Sequence, residues 1–425
     1  MFWKKILHFI PFAMFSCVVC SIIAMCLMWV VYLLPIEPIR NHTKASLSDL
    51  FVEPSLLTYT FAGKRLDVFT DSLMLSMASL KVSNEKFKES LQNKRPDIGL
   101  HPFNNLVFSL NNNEVLSASQ TSSYARYWHG YLVLLKPLLM FTDLDGIRMG
   151  NCLLQSGLLF WALILMYKRF NILYALAFFI GIMVVNPVAA AWCLEYSPAM
   201  YILLVTVIYL LYHPSNDSMK VFLYAGIFLA FFDFPVSPVI ALGIPLIVRL
   251  LQQSQPTKYF EDCVTCCMGW GIGYIGMWFC KWMLASIFTP LNVLADGFSQ
   301  VFYRFWGDGA QEIGAHIKFS PLMAMKLNLL NFSSEAFLLI VLLYGGLCYL
   351  MKRSIQNKNC EYKKRFYILA VGFLPFIWYG LVVNHSIIHA WMTYKNLSVT
   401  VFAFLIYLAC FIFDYDKKDE SNYDK

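Results

Sequence analysis

Apolar runs dominate the chain, and polar residues gather between them. Runs near 6–34, 147–167, 171–190, 199–212, 220–237, 238–251, 264–288, 335–351, 366–384 and 397–413 carry almost all of the uninterrupted hydrophobic sequence. A hydrocarbon core about 30 Å thick is crossed by roughly 20 apolar helical residues. The pattern therefore predicts an all-α fold, a polytopic transmembrane helical bundle of about ten spans. It divides the chain into a first transmembrane helix at 1–34, an outer loop at 35–146, and helices two to seven at 147–288. A second outer segment at 289–334, helices eight to ten at 335–413, and a tail at 414–425 complete it. The first run is too long for a signal peptide and lacks a small-residue cleavage site, so it reads as a retained anchor. No internal repeat is visible, which argues against an inverted-repeat transporter.

Composition fixes the class. Of 425 residues, 59% are hydrophobic and 14% charged, where a soluble domain carries roughly a quarter charged. Mean hydropathy is +0.57. These values exclude a soluble enzyme, a disordered chain and a nucleic-acid partner, and make the lipid bilayer the first partner. The net charge, 33 − 26 = +7, is explained by orientation. With the N-terminus inside, the inner segments hold Lys4, Lys5, Lys168, Arg169, Lys220, Arg249 and Lys258. The basic loop around Lys352, Arg353, Lys363, Lys364 and Arg365 is inner too. The short outer loops near 191–198 and 233–237 hold no Lys or Arg. By the positive-inside rule both termini are cytoplasmic, and the expected location is a plasma membrane, multi-pass, of bacterial type. Most of the 12 Cys lie in apolar runs, so no disulfide framework is expected.

Candidate chemistry collects on the outer side. After Pro35 and Pro38 the outer loop carries Asp67 and Asp71, with Leu66, Phe69, Leu73, Met77 and Leu80 at helical spacing. That spacing predicts an amphipathic interfacial helix holding two carboxylates on one flank. Helix capping and ordinary solvation explain the same pair. Further on, Arg126, His129 and Lys136 fall within one arc if the string 124–131, reading YARYWHGY, is helical and capped by Ser122 or Ser123. Such cations suit a phosphate; snorkelling to lipid headgroups suits them equally.

Glu195, Asp233, Lys281, His385, His389 and Lys395 sit at or near the outer ends of separate spans. An ionisable group at membrane depth costs several kcal/mol unless it is paired or faces a polar cavity. One outward polar cavity accounts for all of them, and a structural pair such as Asp233 with Lys281 accounts for some. His385 and His389 leave a divalent metal open, but no third ligand is evident, and no cofactor is predicted. The aromatic stretch around Arg304 and Trp306 in the second outer segment reads as an interfacial lid.

No Walker A, Rossmann glycine or G-x-S-x-G signature occurs. Carboxylates, His and Lys at an outer membrane face suit sugar transfer from a lipid-linked donor. An Asp takes the acceptor proton, and cations steady the leaving phosphate. A long outer loop with acidic residues after the first span, followed by many spans, resembles the GT-C superfamily of membrane glycosyltransferases. The resemblance covers the architecture of most of the chain and implies that Asp67 or Asp71 is the base. The spacing here is D-x-x-x-D, without the paired acidic doublet of that family. The strings 124–131, 233–238 and 385–395 also look like those of uncharacterised bacterial multi-spanning proteins.

The expectation is thus a glycosyltransferase using a polyprenyl-phosphate sugar donor, with a glycan, lipid or protein acceptor. Asp67 and Asp71 are its candidate bases. Arg126, His129, Lys281 and Lys395 are its candidate phosphate ligands. Glu195, Asp233, His385 and His389 position the acceptor or pair structurally. The alternative is a transporter or flippase of a lipid-linked saccharide, and a third reading is a noncatalytic scaffold in envelope assembly.

Overall fold

The computed structural model describes residues 2–51, 66–214, 217–232, 235–307, 319–332, 335–351 and 362–423. The described chain is helical nearly throughout, with one short antiparallel pairing of β1 (Arg95–Pro96) with β2 (Thr121–Ser122).

Among the described residues, four helical stretches are long and apolar enough to cross a bilayer: Ile6–Tyr32, Leu144–Arg169, Pro256–Phe288 and Ala390–Phe411. A bent pair, Pro321–Phe332 with Phe337–Met351, makes a fifth if the two are one span. These are fewer than the about ten spans expected from the apolar runs. The runs are present, but several fold into short helices: α8 (Ile172–Met183), α10 (Ser197–Tyr212), α11 (Ser218–Phe232) and α12 (Ile240–Gln252). Even the 16 residues of α10 rise only ~24 Å at 1.5 Å per residue. Proline punctuates the runs. Pro187 opens α9 (Pro187–Trp192), and Pro198 lies in the first turn of α10. The run near 366–384 breaks into α17 (Tyr362–Gly372) and α18 (Leu374–Leu381), with Pro375 in the first turn of the latter.

Local signals explain the longer helices. Asp143 caps α7 (Leu144–Arg169) by accepting from the Gly146 N–H, and Lys168 and Arg169 close its last turn, where cations favour the helix dipole. The closest helix pair is α11 with α13 (Tyr259–Phe288). A Cβ at Gly226 would lie 2.2 Å from the Trp270 carbonyl, and one at Gly273 would lie 2.2 Å from the Leu223 carbonyl. Glycine lets these backbones touch, as small residues do between membrane helices. One apolar core fills the space among α8, α10, α12 and α21 (Leu397–Tyr423). A second joins α1 (Phe2–Tyr32), α3 (Val68–Ser79), α6 (Leu132–Leu138) and α11.

The segment between α1 and α7 corrects two expectations. Helix α3 is not laid on a membrane surface. Every residue from position 70 to 79 is buried, and of its side chains Phe69 alone is half exposed. Its C-terminal carbonyls are held by buried cations. Arg40 donates to Ser79 O at 3.2 Å, and Lys136 donates to Ala78 O at 2.7 Å. Arg40 also donates to Ser109 O and Leu110 O at the end of α5 (Pro102–Asn111), so one guanidinium ties the ends of two helices. The string 124–131 forms turns, and helix begins only at Leu132. His129 takes φ +53°, a left-handed conformation. The next N–H, of Gly130, donates to Phe231 O at 2.9 Å. That contact presses the turn against α11, where a Cβ at Gly130 would meet Phe231 O at 2.5 Å.

Candidate functional site

Asp67 caps α3. Its Oδ1 accepts from the Thr70 N–H at 3.1 Å, its Oδ2 accepts from the Thr70 hydroxyl, and its own N–H reaches Cys193 Sγ at 3.3 Å. One turn on, Asp71 is fully buried. Arg148 Nη2 donates to Asp71 Oδ2 at 3.0 Å, and the Leu194 N–H donates to Oδ1 at 2.9 Å. Arg148 also donates to Trp192 O and Asp49 O. Burial pushes the Asp71 carboxyl up to about 7, against the pull of Arg148 and with a further push from Asp67.

Glu195 completes this nest. It is 1% exposed, and its carboxyl is raised well above the ordinary range, first by burial and then by Asp67, to which it is hydrogen-bonded. A hydrogen bond between two carboxyls needs one proton between them. Glu195 Oε1 is buried without a hydrogen-bond partner among the described residues. The next residue, Tyr196, carries Lys395 Nζ over its ring at 4.3 Å. Lys395 is fully buried, and its Nζ has no hydrogen-bond partner among the described residues.

The histidines come to the same region by another route. The rings of His385 and His389 lie 4.6 Å apart. His389 is pushed down to about 4, by burial and then by Arg304, while Asp67 pulls it the other way. That pull places His389 within electrostatic reach of Asp67. Arg304, on α14 (Val293–Trp306), bonds His385 Nδ1 at 2.5 Å, and His385 Nε2 faces Pro235 O at 2.9 Å. A guanidinium only donates, so His385 is a neutral imidazole with its proton on Nε2. Arg304 also donates to the Tyr127 hydroxyl.

Three of the expected phosphate ligands have protein partners. Arg126 pairs with Asp296 on α14 at 3.0 Å. Lys281 is fully buried, donates to Leu91 O at 2.8 Å and lies over the Trp128 ring. His129 faces Tyr124 O through Nε2 at 3.1 Å and the Tyr131 hydroxyl through Nδ1 at 3.3 Å. Burial, then Lys281, holds its pKa well below the usual histidine value. Asp233 lies outside the described residues. So do Asp308, Glu312 and His316 of the second outer segment. Among the described residues no three of His, Cys, Asp and Glu converge as a metal-holding group.

The structure thus brings Asp67, Asp71 and Glu195 together, sets Lys395 against Tyr196, and ties Arg126 and His385 to α14. Sequence reasoning missed Arg148 and gave Arg304 only a lid role. The cost of membrane charge that drew attention to Lys281 applies equally to Arg148, near the start of an apolar helix.

Beside the nest lies a cleft of about 1170 Å³ between α6, α7, α10 and α11. Its walls include Leu138, Leu154, Val205 and Phe228. One end is lined by Leu194 and Ser197, which flank Glu195 and Tyr196; the other reaches Tyr209 and Lys220. The stretch of α10 from Ser197 to Tyr209 spans ~18 Å, the scale of one leaflet and more. The chain matches no family model, no curated protein and no solved structure.

Proposed function

We propose that the protein transfers a sugar from a polyprenyl-phosphate donor to an acceptor hydroxyl at the outer membrane face, in the manner of a GT-C glycosyltransferase. The observation that carries this reading is that Leu194 and Ser197, on either side of buried Glu195 and Tyr196, line one end of the apolar cleft. A lipid tail suits the cleft, which puts a reacting head beside Asp67 and Glu195. Asp67 is the base. The acceptor oxygen attacks the anomeric carbon as its proton passes to Asp67, and the bond from that carbon to the phosphate oxygen breaks. The phosphate leaves with the electron pair. Lys395 is the cation without a hydrogen-bonding acceptor, and it steadies that charge. Glu195 keeps its proton and orients Asp67, while Asp71 and Arg148 hold the start of α3 in place. In this reading the shorter apolar helices complete about ten membrane passages, both termini are cytoplasmic, and the membrane is a bacterial plasma membrane.

The test replaces Asp67 and Asp71 by Asn, singly and together. With a donor carrying a labelled sugar, Asp67→Asn is expected to lower transfer about 10²–10⁴-fold, the usual worth of a general base. Near-native transfer by the double variant rules out the base assignment.

A further inference from the structure

The outer loop holds a second, smaller pocket that the transfer reading does not use. It has a volume of about 180 Å³, the share of about six water molecules in the liquid. Its floor is one face of α3, formed by Phe69, Leu73 and Ser76 at four- and three-residue steps. Its wall is the segment 95–102 with Asn105.

The wall is built, with its polar groups fixed from behind. Buried Asn105 accepts from the Ile98 N–H at 3.2 Å and donates to Leu100 O at 2.9 Å, so the turn is held at both ends. Arg95 donates through Nε to Ser122 Oγ at 2.9 Å and lies over the Tyr124 ring at 5.0 Å. Its Nη2 stands 3.7 Å from Asp97 Oδ2. His101 Nδ1 accepts from the Phe103 N–H, which leaves the proton on Nε2 as a donor. Phe69, half exposed, meets the His101 ring edge-on at 5.2 Å.

We infer that this pocket binds one pyranose ring of a saccharide. The largely apolar floor suits the C–H face of a sugar. Around it stand an acceptor-only carboxylate, a guanidinium and an imidazole N–H, the mixed set that polyhydroxyl ligands need. The Asp97 carboxylate disfavours an anion, and the polar wall disfavours a lipid tail. Asp67 and Asp71 stand two residues before and two after Phe69, so they project from the opposite side of α3. The pocket is thus a site apart from the carboxylate nest, and it stands independently of the transfer reading.

The experiment uses the full chain in lipid nanodiscs, free of sugar-based detergent. Methyl glycosides of common hexoses and N-acetylhexosamines are the probes, with saturation-transfer NMR as the readout. The wild type is expected to bind at least one of them. Phe69→Ala and Asp97→Asn should each weaken that binding about tenfold, the loss of one good contact. Phe69→Tyr keeps the ring and should retain binding, which separates a lost floor from a lost fold. Absence of glycoside binding in the wild type overturns the inference, as does equal binding by all four proteins. Glycoside binding in the predicted pattern without any sugar transfer leaves the pocket standing and removes the transferase reading. Transfer without glycoside binding does the reverse.

Discussion

At the scale of single residues, the chemistry turns on which carboxyl keeps its proton. Asp71 pairs with Arg148, yet burial holds it up at about 7. Its ordinary value is about 3.9. A folded-state pKa above the unfolded one gives stability that is full below about pH 4 and lost as pH rises through about 7. Thermal stability in detergent should therefore fall across that window, and Asp71→Asn should flatten the fall. Arg148→Met should act differently. It leaves Asp71 without its cation and strips a donor from Trp192 O and Asp49 O. Breaking a buried pair by removing one partner costs ~3–5 kcal/mol, so a marked drop in melting temperature is expected. An unchanged melting curve would show that the pair does not hold α3 in place.

At the scale of elements, the sequence was most legible where local chemistry decides. The apolar runs near 147–167 and 171–190 fall on α7 and on α8, whose starts Asp143 and Asn171 fix as side-chain caps seen only in the structure. Legibility failed where a distant partner decides. The arc of Arg126, His129 and Lys136 presumes a helix, but contact with Phe231 O fixes a turn and leaves His129 left-handed. Nothing near residue 129 in sequence announces that partner. Helix α3 has a surface-like stripe, yet Arg40 and Lys136 draw it inside by taking its last carbonyls. Glycine spacing in α13 was readable only once α11 was seen against it. Gly273→Ala should cost ~1–3 kcal/mol, as overpacking does, because its new Cβ meets the Leu223 backbone. Gly271→Ala, with open space around it, should be neutral or slightly stabilising in a helix. Equal melting temperatures for the two variants would contradict the close-packed pair.

At the scale of the whole molecule, apolar composition showed a membrane-embedded helical chain but overstated how many helices cross at full length. Composition counts apolar residues, whereas prolines and caps decide where a run is cut. What composition cannot show is the meeting of distant segments. Asp67 at the start of α3, Glu195 from the turn before α10 and His389 after α19 (Val383–Ile388) interact electrostatically across more than three hundred residues of sequence. The cleft that ends beside them is likewise made by four helices. In the proposed transfer a lipid in the cleft loses its sugar; in the alternative the whole lipid passes on. The direct measurement uses sealed vesicles holding the protein and a sugar-loaded polyprenyl-phosphate donor, with the mass of the donor lipid followed in time. The account predicts that the donor loses one sugar to an acceptor on the outer-loop side, and that Asp67→Asn stops this loss. A donor that crosses the bilayer with its mass unchanged, in both the wild type and Asp67→Asn, would contradict it.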